Sequence, residues 1–282
     1  MSLPDCRFMF LNEFSKIRPS FIHVVVLFCV CILIFLIHTM LPVDTPRDTA
    51  RVSEFAHCKY VYLDIGSNIG VQVRKLFEPS RYPGAAILPL FDHYFGPDRH
   101  LMKGLCAIGV EMNPKHTTRL STLEQHYTEK CGYSVRFFKE TAASTHDGWV
   151  DFWIGGNQLD DGTSQFLRPE DRKTKYSKTA HALDLVGFIL REITPVASTV
   201  LMKMDIEGSE FELLPRLVMK GAACDLDMIF VETHPKLASS QQLETYKHAT
   251  ALIGSVPSCK VQLNELDDES YQLDVDDTVN TC

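Results

Sequence analysis

The stretch Tyr60 to Gly70, YVYLDIGSNIG, limits what this chain can fold into more than any other. Tyr60 to Ile65 is aromatic, β-branched or aliphatic apart from Asp64, the composition of a strand buried on both faces of a parallel sheet. Gly66 and Gly70 then bracket a tight turn through Ser67 and Asn68, where a missing β-carbon lets another group approach the backbone. A helix near Val71 to Phe77 completes the opening of a β-turn-α unit, and in open sheets of such units ligands sit beyond the carboxyl ends of the strands.

The rest of the chain repeats that alternation. Strands are expected near Cys106 to Val110, Ser134 to Phe138, Thr199 to Met204 and Met228 to Val231, with a helix from Lys115 to Glu129. Val150 to Ile154 reads as an added strand, and Ala182 to Ile193 is amphipathic. The order predicts an α/β fold with a doubly wound sheet. Residues 78–104, rich in Pro, Gly and aromatics from Glu78 to His100, read as an insertion without an element of its own. With 282 residues, 45% of them hydrophobic, the chain has ample material for a core. Its net charge of −8 and the lack of a basic stripe argue against nucleic acid as a partner.

One segment does not suit a soluble fold. Phe21 to Leu41, FIHVVVLFCVCILIFLIHTML, contains fifteen Phe, Ile, Val or Leu residues. As a helix it spans about 31 Å, close to a hydrocarbon core of about 30 Å, and those side chains favour insertion by roughly 4 to 9 kcal/mol. A cleaved signal peptide is the rival reading, but HTMLPVDTP follows in place of a small-residue cut site. The expected layout is a short tail (1–20), a transmembrane signal anchor (21–41), a linker (42–57) and a catalytic domain (58–282). Arg7, Lys16 and Arg18 precede the span and Arg47, Arg51 and Lys59 follow it, so the charge signal is nearly balanced; the short basic tail tips the expectation to an inside N-terminus, hence a type II protein with its domain in the Golgi or endoplasmic reticulum lumen. Beyond the span lie six cysteines, an even number compatible with disulfides in fifteen pairings and equally with buried thiols.

The glycine turn lacks the middle glycine that a nicotinamide dinucleotide needs for its pyrophosphate. An acid directly before it suits a cationic cofactor, and S-adenosyl-L-methionine carries an amino group and a sulfonium that Asp64 would attract. In AIGVEMNP, Glu111 ends the second strand where a carboxylate accepts hydrogen bonds from both ribose hydroxyls. KETAAS follows the third strand, and Ala142 there would floor the adenine.

The most specific stretch is LMKMDIEGSEFELL, in which Lys203, Asp205, Glu207 and Glu210 crowd the end of a buried strand; in MIFVETHP, Glu232 and His234 leave the next one. Together with LDIGSNIG and GVEMNP these motifs resemble the FkbM-type family of class I S-adenosylmethionine-dependent methyltransferases, over roughly Cys58 to Pro235. The resemblance implies a Rossmann-like sheet of about seven strands and methyl transfer, commonly to a hydroxyl oxygen of a glycan or small molecule. Such a transfer needs a base for the hydroxyl proton. His234, near neutral in pKa, and Asp205 are the candidates, and Asp205 is also counted among the cofactor-binding residues. Glu207 and Glu232 would orient the base, hydrogen-bond sugar hydroxyls or hold a divalent cation with Asp205, the metal being the less favoured reading, so no metal ligand is assigned. Two other readings stay open, a nicotinamide-dependent oxidoreductase and an anchored binding domain without turnover.

Overall fold

A computed structural model of the chain describes residues 53–155, 163–165, 175–266 and 282. The apolar segment Phe21 to Leu41 and most of the linker lie outside the described residues; among those described, no helix is long and apolar enough to cross a membrane.

Six strands form the first sheet: β1 (Tyr60–Ile65), β2 (Leu105–Glu111), β3 (Ser134–Lys139), β8 (Thr199–Met204), β9 (Met228–Val231) and β10 (Gln262–Glu265). Their spatial order is β10-β9-β8-β1-β2-β3, and every neighbouring pair is parallel. Each central strand is largely apolar and buried beyond its first residue, as expected of a parallel sheet covered on both faces. The chain leaves β1 to one side for β2 and β3, then returns to the other side through β8, which places the reversal of strand order at β1 and β8.

A second sheet, ordered β4-β7-β5-β6, contains β4 (Thr141–Ser144), β5 (Gly148–Gly155), β6 (Thr163–Ser164) and β7 (Lys175–Asp184). This corrects the expected single sheet of about seven strands. The added strand at Val150 to Ile154 is found, but it pairs antiparallel with β7 and β6 and not with the first sheet. The amphipathic stretch from Ala182 is split as well. Ala182 to Asp184 end β7, and only from Leu185 does the chain coil, through α4 (Leu185–Phe188) and a wider turn at Ile189–Ile193.

The other helices are α1 (Val71–Phe77), α2 (Leu88–Phe95), α3 (Thr117–Gln125), α5 (Glu210–Met219) and α6 (Ser240–Ser255). Helix α2 lies inside the segment expected to carry no element. A proline in its first turn fits the unpaired N–H positions there, and Phe91 and Phe95, one turn apart, bury against the core. The insertion closes over α1, every residue of which is buried, Arg74 and Lys75 included. Arg99 from the insertion donates to the main-chain carbonyls of Leu76 and Lys75, which the end of α1 leaves without helical partners.

All six cysteines beyond the apolar segment are paired, as Cys58–Cys106, Cys131–Cys282 and Cys224–Cys259. They join the starts of β1 and β2, tie the last residue of the chain to the turn after α3, and link the loop after α5 to the approach to β10. Loops of 48, 151 and 35 residues would each add roughly 4 to 5 kcal/mol in the chain-entropy treatment.

Candidate active site

The turn after β1 shows what its two glycines admit. A β-carbon on Gly66 would stand 1.7 Å from the main-chain oxygen of Asp205, at the end of β8. One on Gly70 would stand 2.6 Å from Leu123 Cδ1 of α3. Both residues have positive φ, as does Asn68 between them. What approaches this backbone is therefore the protein itself: Gly66 lets the end of β8 close on β1, and Gly70 lets α3 close on the start of α1. Gly109 in β2 has a like role that the sequence reading passed over, since a β-carbon there would stand 2.4 Å from Ser67 Oγ and from the Phe137 ring.

These contacts bring four strand ends together. Asp64 is wholly buried and lies opposite Lys203 in the register of β1 and β8. Ser67 Oγ donates to the main-chain oxygen of Asp64, and neither carboxyl oxygen of Asp64 has a hydrogen-bond partner among the described residues. Burial pushes this carboxyl up to about 7, against the pull of Lys203. Lys203 donates to Asp205 Oδ2 at 2.7 Å. Burial draws its amine down, but Asp205 and Asp64 outweigh that and hold it above its usual value.

Glu111 ends β2 with one oxygen accepting from the Asn68 amide at 2.7 Å and the other from the Asn113 amide at 2.6 Å. It thus pins the glycine turn to the next strand, and each oxygen keeps a lone pair for another donor. Burial raises it to about 7, with the two backbone bonds opposing. One residue on, Met112 packs against Phe152 and Ala180 of the second sheet. There a cavity of about 370 Å³ opens, lined also by Glu140 and Lys178. Ala142 does not line it; this residue is buried in β4, paired with Ala182.

On the far side of β8 the loop Asp205 to Ser209 turns sharply, with Glu207 at φ 52 and Gly208 at φ 105. Left-handed backbone at a glutamate costs about 1 kcal/mol or more, and it is held from outside. Ser164 Oγ donates to the Glu207 carbonyl at 2.6 Å, and Gln165 Nε2 to Ser209 Oγ at 3.1 Å. Glu210, the first residue of α5, is wholly buried and accepts the Gly208 amide at 2.8 Å and the His234 amide at 2.6 Å. Its Oε1 also lies 3.2 Å from His234 Nδ1, which fixes the imidazole so that Nε2 faces Glu207, Glu232 and Asp205 at 3.8, 3.9 and 4.0 Å.

Asp205, Glu207, Glu232 and His234 are thus one cluster, as their positions at neighbouring strand ends predict. The expectation of a near-neutral His234 changes. Burial alone would lower it, but the Glu210 bond and the surrounding carboxylates push it up to about 9, so it is an imidazolium at neutral pH. Glu210, counted in the sequence only as one acid among several, is what orients that ring.

The sequence model of the family described as the methyltransferase FkbM domain matches residues 64–267. That is well over half of the chain, and the chain belongs to this family. No curated protein and no solved structure matches it.

Proposed function

We propose that this member of the FkbM methyltransferase family is a membrane-anchored O-methyltransferase that uses S-adenosyl-L-methionine and acts on a hydroxyl of a glycan or small molecule. The observation that carries the reading is Asp64, a fully buried carboxyl whose two oxygens have no partner among the described residues, at the point where the strand order reverses. Buried carboxylates rarely stand unpaired, and a ligand that brings a positive charge and N–H donors satisfies this one. A dinucleotide pyrophosphate would meet Asp64 and Glu111 with like charge.

In this reading the residues divide by side. Asp64 and the turn Gly66, Ser67, Asn68 and Gly70 hold the charged end of the cofactor, Glu111 holds the ribose, and the cavity beside Met112 takes the adenine. The cofactor supplies an electrophilic methyl group on a sulfonium. The chain's part is to hold the acceptor oxygen in line with that methyl and to take up the hydroxyl proton as the O–C bond forms. His234 carries a proton already, so proton uptake falls to a carboxylate, Asp205 or Glu207. The imidazolium, held by Glu210, then orients the acceptor and offsets charge developing on its oxygen.

The finer points rest on other features. Phe21 to Leu41 supports a retained anchor. Three disulfides support a lumenal domain, since such bonds persist in oxidising compartments and are rare in the cytosol. Carboxylates at the rim suit a partner rich in hydroxyl donors, such as a glycan. Incubating the full chain with methyl-labelled cofactor and panels of glycans, lipids and small alcohols should yield label in a base-stable ether. Label in a base-labile ester, or on nitrogen, would contradict the hydroxyl assignment.

A further inference from the structure

We propose that Asp205, Glu232 and His234 bind one divalent cation, with Mn²⁺ as the fitting probe. The proposal rests on the same site as the methyltransferase reading but not on that reading being correct.

One ligand atom from each of the three lies within 4.8 Å of the other two. His234 Nε2 stands 4.0 Å from Asp205 Oδ1 and 3.9 Å from Glu232 Oε1, beyond hydrogen-bond reach of either. Atoms each about 2.3 Å from a common centre stand roughly 3.3 Å apart at right angles and 3.8 Å apart at the tetrahedral angle. The two separations match the tetrahedral spacing to within about 0.2 Å and exceed the right-angle spacing by about 0.7 Å, so the side chains would draw together around a six-coordinate ion.

The groups behind the ligands agree. His234 presents Nε2 because Nδ1 faces Glu210, a wholly buried carboxylate that also accepts the His234 amide, and an ion would displace the proton that the imidazolium carries at Nε2. A carboxylate behind an imidazole fixes tautomer and direction at metal sites, and its loss commonly costs ten- to hundredfold in affinity. Lys203 braces the second oxygen of Asp205 and leaves Oδ1 turned towards the ring. An independent observation is Asp64, buried and without a hydrogen-bond partner on either oxygen, which lies opposite Lys203 in the strand register and bears electrostatically on Asp205. Around these strand ends five carboxylates, Asp64, Asp205, Glu207, Glu210 and Glu232, are set against the cations Lys203, Lys75 and His234. Two carboxylates, which suit Mn²⁺, and one imidazole, without a thiolate to select a soft ion, make Mn²⁺ a fitting probe although a later divalent ion would bind the same ligands more tightly. An ion here would bind the acceptor hydroxyl and ease its proton loss to a neighbouring carboxylate.

The test uses the full chain in detergent, stripped with chelator and titrated with Mn²⁺ alone while the free ion is followed by electron paramagnetic resonance. One equivalent is expected to bind, with nitrogen coupling from one imidazole visible on the bound ion. His234→Gln and Glu232→Gln should each weaken binding at least tenfold, and Glu210→Gln by ten- to hundredfold. S-adenosylhomocysteine binding, measured on the same samples, should persist in all three variants and so report that each is folded. No stoichiometric binding below millimolar Mn²⁺, binding without nitrogen coupling, or equal affinity in folded variants would overturn the cation site. Mn²⁺ binding without S-adenosylhomocysteine binding would instead uphold the cation site and remove the methyltransferase reading.

Discussion

The main-chain oxygen of Asp205 occupies the space that a β-carbon on Gly66 would need, 1.7 Å from its ideal position. The turn after β1 and the carboxylate loop are therefore locked together by backbone and not by side chains, and neither can shift without the other. Gly66→Ala meets both that contact and a φ of +88°. It should cost at least about 3 kcal/mol in urea unfolding, well above an ordinary surface change. A loss below about 1 kcal/mol would mean that the strand ends are not locked in this way.

Asp64 should show a conflict between stability and binding. A carboxyl held at about 7 against 3.8 when unfolded keeps its proton better in the folded state. Its contribution to stability is thus fullest below about pH 4, falls as pH rises, and levels off above about pH 7. Glu111, also raised to about 7, works in the same direction. Asp64→Asn removes the charge while keeping the shape, so the ligand-free variant should have a higher urea midpoint than the parent at pH 8 and a smaller difference at pH 5. A variant less stable than the parent at pH 8 would show that Asp64 has a partner in the folded chain.

Catalysis should separate from cofactor binding at the other cluster. Asp205→Asn is expected to lower kcat at least a hundredfold on an identified acceptor, with S-adenosylhomocysteine affinity changed less than threefold. His234→Gln should lower kcat by a smaller factor, as befits a group that orients and does not accept the proton. Near-parental turnover in both variants would reduce the cluster to a binding rim.

How far the sequence could be read depended on where each signal lies. The bounds of β1, α1, β8 and β9 were legible to the residue, because each strand is a largely apolar run and the helix directly follows a glycine turn. The second sheet was not. In β7 the buried positions are small, Ala180 and Ala182, they alternate with exposed Thr179 and His181, and Lys178 on their own face is exposed, a pattern with little apolar weight. Glu210 was visible as an acid, but its partner lies 24 residues away in the loop after β9, and no local spacing reveals that bond. The glycines were legible as close-approach positions, although what approaches was visible only in three dimensions.

The six cysteines illustrate the same limit, since spacing alone left fifteen pairings open. Non-reducing peptide mapping of the full chain should recover Cys58–Cys106, Cys131–Cys282 and Cys224–Cys259. In sealed microsomes the domain should resist protease until detergent is added, and alkaline carbonate should leave the chain in the pellet. Free thiols at these positions, or digestion without detergent, would place the domain in the cytosol.

The most direct measurement is a calorimetric titration of the full chain with S-adenosylhomocysteine and, separately, NADH. S-adenosylhomocysteine should bind at one site per chain, and Glu111→Ala and Asp64→Ala should each weaken it by about 1 to 3 kcal/mol, the scale of a lost hydrogen bond to a charged group. NADH should not bind. Tight binding of NADH with none of S-adenosylhomocysteine, or S-adenosylhomocysteine affinity indifferent to both substitutions, would contradict the assignment of this strand-end site to the methyl donor.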